Sequence, residues 1–457
     1  MKFKNRPILN NKWAIIIGCI LTVAIIVGAA DFTKVLYRDD AAADGIKQAE
    51  HEKITVEGDF VDRNGAVIMN PTEVNVKNST YVDLAYSYIL GYNHPSLGKS
   101  GLRKIYRDHL YDDNDTKKGG TVQLTIDDFM QKKAHSLLKN NNLAGSVIVL
   151  DVKTGELLVL ASRRKADYDL NGFNNEKYDA YKEVGDARGR KNMFSNPATA
   201  DMDAPGSVYK VVTSCAAIDN GLQDFVYTDT GLLEVGGAKI RNAFSNPKGE
   251  QNLPQALATS TNTYFASLSL ALGEKAMKDT AEKFLIGQNI NLGFATLKSQ
   301  IEFDGRESNL AMIGFGQGAL AVSPLHLAMI GQSIVNDGTM VEPVLVKALH
   351  STDGRIVFED NGRKFLAQNL GIDTAVKVKG MMRGVTEHNF PRFFDYAPNV
   401  YCKTGTADLD DKRNINHAYL LCATDDYVIL ASVNDTQLFG ANLDILVEPI
   451  LKDLYAK

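Results

Sequence analysis
Two apolar regimes divide this chain. From Trp13 to Ala30 the residues are uncharged and almost wholly apolar. From Gly119 onward, short apolar runs alternate with polar and Gly-rich breaks, as in a packed globular domain. Thr121–Asp127 predicts a strand, and Asp127 is placed to cap a helix through about Asn140. Ser146–Asp151 and Glu156–Ala161 predict a hairpin closed by Val152-Lys153-Thr154-Gly155. A long polar loop, about 162–203, leads to Pro205-Gly206, which breaks the chain before the buried helix Val211–Ile218, itself ended by Asn220-Gly221. A mostly helical middle follows: Leu253–Ala258, Tyr264–Leu272 and Glu274–Phe284, then a Gly314–Gly318 loop. Pro324 opens an apolar helix to about Val335. Asn399–Thr404, His417–Ala423 and Tyr427–Val433 predict successive antiparallel strands, and Asn442–Tyr455 a closing helix.

The N-terminal run is just long enough to span a bilayer. Lys2, Lys4, Arg6 and Lys12 precede it, so the positive-inside rule puts residues 1–12 in the cytoplasm and the chain beyond about 31 outside. We therefore expect a cytoplasmic tail (1–12), a transmembrane anchor (13–30) and an extracytoplasmic body. Gly28-Ala29-Ala30 would also suit removal of a signal peptide, but the apolar run exceeds a usual signal core. Residues 31–53 are charged and Ala-rich and predict a stalk; 54–118, with an Asn64-Gly65 turn signal, predict a small packing module. The remainder, 119–457, carries the candidate chemistry.

Length suggests about two or three domains. A chain that is 44% hydrophobic and 23% charged is ordinary for a globular protein, and a net charge of -5 gives no reason to expect nucleic acid. Of the four cysteines, Cys19 lies in the membrane run and Cys215 in an apolar helix. Cys402 and Cys422 fall in two apolar strands, where a bridge is geometrically open but small buried hydrophobes are the simpler expectation. No Cys/His cluster has metal-ligand spacing, so neither a metal nor another cofactor is expected.

Ser207 and Lys210 stand three residues apart at the start of a helix, on one face. A serine becomes a nucleophile when a neighbour takes its proton, and a lysine does so once burial and nearby cations disfavour its charge. Alone the pattern says little, since Ser96/Lys99, Ser136/Lys139, Ser162/Lys165 and Ser245/Lys248 repeat it. Two later motifs select it: Ser260-Thr261-Asn262 and Lys403-Thr404-Gly405-Thr406. These also have look-alikes, Ser432-Val433-Asn434, Lys99-Ser100-Gly101 and Lys153-Thr154-Gly155. Lys403 ends an apolar strand, where it faces the same way as Gly405, whose bareness would admit a peptide backbone alongside. That strand-end position also predicts a Lys403 near solvent.

Ser-x-x-Lys, Ser-x-Asn and Lys-Thr-Gly in this order resemble the penicillin-binding proteins and serine β-lactamases. Thr121–Ser162, Phe194–Lys210, Ile313–Ala328 and Lys403–Val433 resemble the transpeptidase domain. Arg63-Asn64-Gly65 and Tyr86–Leu110 resemble the non-catalytic pedestal of the class B, monofunctional enzymes. The resemblance implies an α+β fold, an antiparallel sheet flanked by helices plus a helical subdomain, preceded by the pedestal and the transmembrane helix. The departures are Val208 for a usual hydroxyl residue, Arg103 for an expected acid, Asp408 for a common Glu, and Pro197 for a usual Arg.

The implied roles follow. Ser207 attacks a D-Ala–D-Ala carbonyl with Lys210 as base, Ser260 relays the proton, and backbone N–H groups of Ser207 and Thr406 form the oxyanion hole. Asn262 holds the donor peptide, and Lys403, Thr404, Gly405 and Thr406 line the carboxylate site. The implied partners are peptidoglycan stem peptides, β-lactams as covalent inhibitors, the membrane, and a membrane glycosyltransferase, because only about 90 residues separate the anchor from the catalytic domain. A serine β-lactamase or β-lactam sensor shares the motifs, but the pedestal and the Ser-Thr-Asn middle motif argue against it. A non-catalytic scaffold of a cell-wall complex is the other alternative, opposed by a full set of motif residues.

Overall fold
The computed structural model describes residues 56–69, 82–111, 118–184, 193–243, 246–360, 364–410 and 415–456. The expected tail, anchor and stalk, with Cys19, lie outside these residues. Among the described residues no helix is long and apolar enough to cross a membrane.

A five-stranded antiparallel sheet organises the rest. Its strands are β1 (Gly145–Asp151), β2 (Leu157–Arg163), β3 (Tyr401–Asp410), β4 (Ile415–Ala423) and β5 (Tyr427–Thr436), in the spatial order β3-β4-β5-β1-β2. The principal helices are α1 (Asp128–Asn140), α2 (Lys210–Asp219), α3 (Asn262–Lys283), α4 (Pro324–Val335), α5 (Ile372–Asn389) and α6 (Asp444–Leu454). Helices cover both faces of the sheet, so its strands read as unbroken apolar runs. The two-residue period still sorts them. Val147, Val149, Leu420, Cys422, Ile429 and Ala431 pack with Met130, Leu138, Leu446 and Ile450 of α1 and α6. Ile148, Leu150, Tyr419, Leu421, Val428 and Leu430 belong to the opposite core, with Val211 and Cys215 of α2 and Leu325 and Ile330 of α4. Each such Leu or Ile contributes roughly 1.5–3 kcal/mol by leaving water.

Local signals hold where capping chemistry sets them. Asp127 accepts the Met130 N–H at 3.0 Å and starts α1. Ser323 accepts from His326 N–H at the start of α4, with Pro324 in the first turn. The span of α3 contains Gly273 at φ 76°, ψ 165°, so it is two helices meeting at a kink, matching the two predicted runs. Cys402 and Cys422 sit directly opposite each other on β3 and β4 as free, buried thiols.

Three features differ from expectation. The 162–203 stretch is more than a loop: β2 extends to Arg163, and helices Asn175–Glu183 and Pro197–Ala200 follow. Stacked and edge-on rings of Tyr92, Phe173, Tyr178, Tyr181 and Phe194 pack this stretch against the pedestal, at a spacing no single period reveals. The boundary at 118/119 is crossed by a second sheet, in which pedestal strand Phe60–Val61 pairs in parallel with Thr121–Leu124, which pairs antiparallel with Val346–His350. Finally, the departure at Arg103 finds its own acid: its guanidinium donates to buried Glu57, at 2.8 Å through Nε.

His326 of α4 is wholly buried, its Nδ1 2.6 Å from Ser299 Oγ and its Nε2 2.8 Å from Phe284 O at the end of α3. Burial lowers its pKa to about 4. Between about pH 6.5 and 4 the unfolded chain binds a proton that this ring refuses, so stability falls as pH falls through that window. The loss is on the order of 3 kcal/mol. Urea unfolding across this range should show it in the wild type, and His326→Gln should flatten the slope by a similar amount. Parallel pH curves for the two proteins would refute the assignment.

Candidate active site
The site is built where the nucleophile segment meets β3. Gly206 turns the chain at φ +55° and donates its N–H to Gly316 O at 2.9 Å. Gly206–Tyr209 is a 3-10 turn that runs into α2, tighter than the α-helical start expected. Residues three apart eclipse in such a turn, so Ser207 and Lys210 stand one above the other. A side chain on Gly206 would place Cβ 2.6 Å from Thr406 O, and one on Gly405 would place it 2.7 Å from Pro205 O. Both glycines serve one contact, backbone against backbone. The bareness of Gly405 is thus taken up by the nucleophile turn, where the sequence suggested room for a substrate strand. Val208 fills the flank, 1% exposed, so a hydroxyl there would be buried.

Ser260 lies at φ +55° between helix Leu253–Ala258 and α3, a left-handed value that aims its side chain into the cleft. Lys210 Nζ donates to Ser260 O at 2.7 Å and to Asn262 Oδ1 at 2.7 Å, and lies 3.2 Å from Ser260 Oγ. Lys403 Nζ reaches the same Ser260 Oγ at 3.0 Å, and Thr404 O at 3.0 Å. Asn262, first residue of α3, is fixed from behind by its amide donating to Arg241 O at 2.9 Å. Thr406 Oγ1 accepts the Gly440 N–H at 3.1 Å, which leaves the threonine proton free to donate. One hydroxyl therefore stands between two amines.

The structure brings together Lys210, Ser260, Asn262 and Lys403 by direct hydrogen bonds, with Ser207 and the Thr404–Thr406 backbone alongside. Between Ser207 Oγ and Lys210 Nζ it forms no hydrogen bond; the amine is engaged by the Ser260 motif. The look-alike motifs go elsewhere. Ser162 bonds Asn196, Ser432 bonds Ser146, and Lys153 bonds Asn336. Sequence reasoning missed Arg241, Gly316, Gly440 and Phe265, whose ring lies 5.5 Å below Lys210 Nζ. Their contributions are backbone atoms and a ring face, which carry no spacing signal.

Burial, and then the charge of Lys403, push the Lys210 pKa well below the usual lysine range. Burial lowers Lys403 to about 7. The expectation of a solvent-facing Lys403 is not met: the side chain is fully buried, because α5 and the nucleophile turn pack over β3. Two ammonium groups on one hydroxyl resist being charged together, and burial opposes the charge on each. Such a cleft favours an uncharged amine one turn from Ser207 and links it to a hydroxyl able to pass a proton. Among the described residues no cluster of His, Cys, Asp or Glu is suited to a metal ion.

A family model described as the penicillin binding protein transpeptidase domain matches residues 145–443. Penicillin-binding protein PbpB of Mycolicibacterium smegmatis is 28% identical over 288 residues, 60% of this chain and 42% of its own. Penicillin-binding protein 3 of Bacillus subtilis is 30% identical over 363 residues, 71% of this chain and 51% of its own. The chain therefore spans about half the length of these curated relatives. Among solved structures, the ceftriaxone acyl-enzyme complex of penicillin-binding protein A from M. tuberculosis superposes with a TM-score of 0.80 at 19% identity, over 90% of this chain and 100% of that one.

If Lys403 presses on Lys210 through its charge, removing it raises the Lys210 pKa. Lys403→Met should move the Lys210 titration upward in lysine-selective NMR, yet leave it below the usual range because burial remains. An unchanged or lowered value would remove the coupling.

Proposed function
The chain belongs to the penicillin-binding protein transpeptidase family, and we propose that it is a membrane-anchored serine D,D-transpeptidase that cross-links peptidoglycan stem peptides through an acyl-enzyme on Ser207. The observation that carries this reading is the single Ser260 hydroxyl within hydrogen-bond reach of both Lys210 and Lys403.

In this reading Ser207 Oγ attacks the carbonyl carbon of the penultimate D-alanine. Its proton passes to neutral Lys210, and the oxyanion is held by the N–H groups of Ser207 and Thr406. As the C–N bond breaks, the proton moves through Ser260 Oγ to the departing D-alanine amine, leaving an ester on Ser207. An amine from a second stem peptide then attacks the ester, and Ser207 recovers a proton. Asn262 holds the donor peptide, while Lys403, Thr404 and Thr406 bind its terminal carboxylate along the Gly405 backbone.

A Lys403 pKa near 7 suits that last task. An arriving carboxylate favours the charged amine, so substrate brings the proton state it needs. The new charge in turn keeps Lys210 neutral. A β-lactam offers a carbonyl and a carboxylate in the same relation, and the structural neighbour from M. tuberculosis is a ceftriaxone acyl-enzyme complex. The anchor at 13–30, the extracytoplasmic catalytic domain and a membrane glycosyltransferase partner complete the proposal.

Labelled penicillin should acylate Ser207 alone, with Ser207→Ala abolishing the label and Lys210→Arg slowing acylation by about two to four orders of magnitude, since arginine is no base near neutral pH. Label retained in Ser207→Ala refutes the assignment, and an acyl group shed within a second indicates a β-lactamase. For topology, a reporter active only outside the cytoplasm should work when fused after residue 40 and fail when fused before residue 12. A mature N-terminus at Asp31 would replace the anchor with a cleaved signal.

A further inference from the structure
The segment entering Ser207 is held by two buried acids. Asp201 accepts both arms of Arg164, the residue just after β2, at 2.7 Å each. This ion pair stands beside Pro197, where an arginine is usual. Asp203 faces His417 of β4, with Nε2 3.1 Å from Oδ1 and the two side chains 3% and 2% exposed. The contact is at ion-pair distance but oblique for a hydrogen bond. Nδ1 of the same ring accepts the Asp435 N–H at 3.4 Å, which leaves Nε2 as the proton-bearing atom turned to the carboxylate. The Asp203 carbonyl in turn accepts the Val322 N–H at 2.9 Å.

The place of this pair matters more than its strength. His417 stands opposite Ala407 in the β3–β4 register, one residue beyond Thr406. Asp203 is four residues before Ser207. This contact thus adds a side-chain link between the chain that delivers the nucleophile and the strand pair that carries Thr406. Arg164 and Gly316 already tie the segment to β2 and to the Gly314–Gly318 loop, whereas His417 ties it to β4, the direct neighbour of β3. A buried carboxylate facing a neutral ring is a poor device for stability alone, because desolvation of the acid offsets much of the attraction.

We propose that Asp203 and His417 form a positioning pair for acylation, setting the nucleophile turn against β3 so that Ser207 Oγ and the N–H groups of Ser207 and Thr406 converge on one carbonyl. The inference rests on the transpeptidase reading above. Neither residue touches substrate. Both act through the geometry of Ser207, where a shift of about 1 Å is worth on the order of a hundredfold in rate.

Stopped-flow acylation by penicillin separates non-covalent binding (Kd) from the acylation step (k2). His417→Phe keeps the ring and removes the donor, while His417→Gln keeps a donor. We expect k2 to fall roughly ten- to a hundredfold in His417→Phe with Kd unchanged, and most of it to return in His417→Gln. Asp203→Asn should resemble His417→Phe, and it carries the test if that variant does not fold. A lowered Tm with wild-type k2 in the folded protein would make the pair purely structural, and a change confined to Kd would make it a binding element; either overturns the proposal. Wild-type protein that penicillin fails to acylate would instead overturn the transpeptidase reading, which distinguishes the two failures.

Discussion
The burial of two lysine amines around one serine hydroxyl is the constraint on which the rest depends. An ammonium group taken out of water loses far more hydration than a neutral amine does, so a fully enclosed lysine is driven toward the form that accepts a proton. Lys210 and Lys403 both reach Ser260 Oγ, and both are fully enclosed. That enclosure requires a sheet covered on both faces and a helical subdomain closing the third side. The two-sided core around β1–β5 and the docking of α2 and α3 provide these. The same desolvation that opposes folding at these residues makes Lys210 a candidate base.

A second constraint is how closely backbones approach. The nucleophile turn lies on β3 with no side chain between, through Gly206 and Gly405. Close packing fixes the Ser207 and Thr406 backbones relative to each other, which side-chain contacts of ordinary length would do less tightly. The acids before the turn, Asp201 and Asp203, hold the incoming chain to β2 and β4. The pedestal is part of the same construction. Its strand Phe60–Val61 completes a sheet with Thr121–Leu124, and residues such as Phe60 and Tyr86 share a core with Ile148 and Leu150. Anything that moves the pedestal thus has a packed route to the catalytic sheet.

Elements were legible in the sequence wherever short-range physics decides them. Asp127, Ser323 and Pro324 mark helix starts because capping chemistry acts over three or four residues. The strands from β1 to β5 show as apolar runs because their environment is uniformly buried. Gly273 divides α3 where two periodic runs meet. The three motifs were legible as a set because their order and residue types resemble one family, although each alone has look-alikes in this chain.

What only the tertiary structure decided lies in long-range contact. Lys210, Ser260 and Lys403 are separated by long stretches of chain, so the meeting of both amines at one hydroxyl depends on how α2, the Ser260 segment and β3 pack. The burial of Lys403 could not be seen from a strand predicted to end at Thr404: β3 runs on to Asp410, and what covers it comes from the nucleophile turn and from α5. The contact at Gly405 went to Pro205 for the same reason. Asp203 and His417 are ordinary residues in sequence and become a pair only when β4 passes behind the nucleophile. Residue type and spacing thus determined which chemistry this chain carries. Burial and backbone approach, set by the whole fold, decided the protonation and alignment that the chemistry depends on.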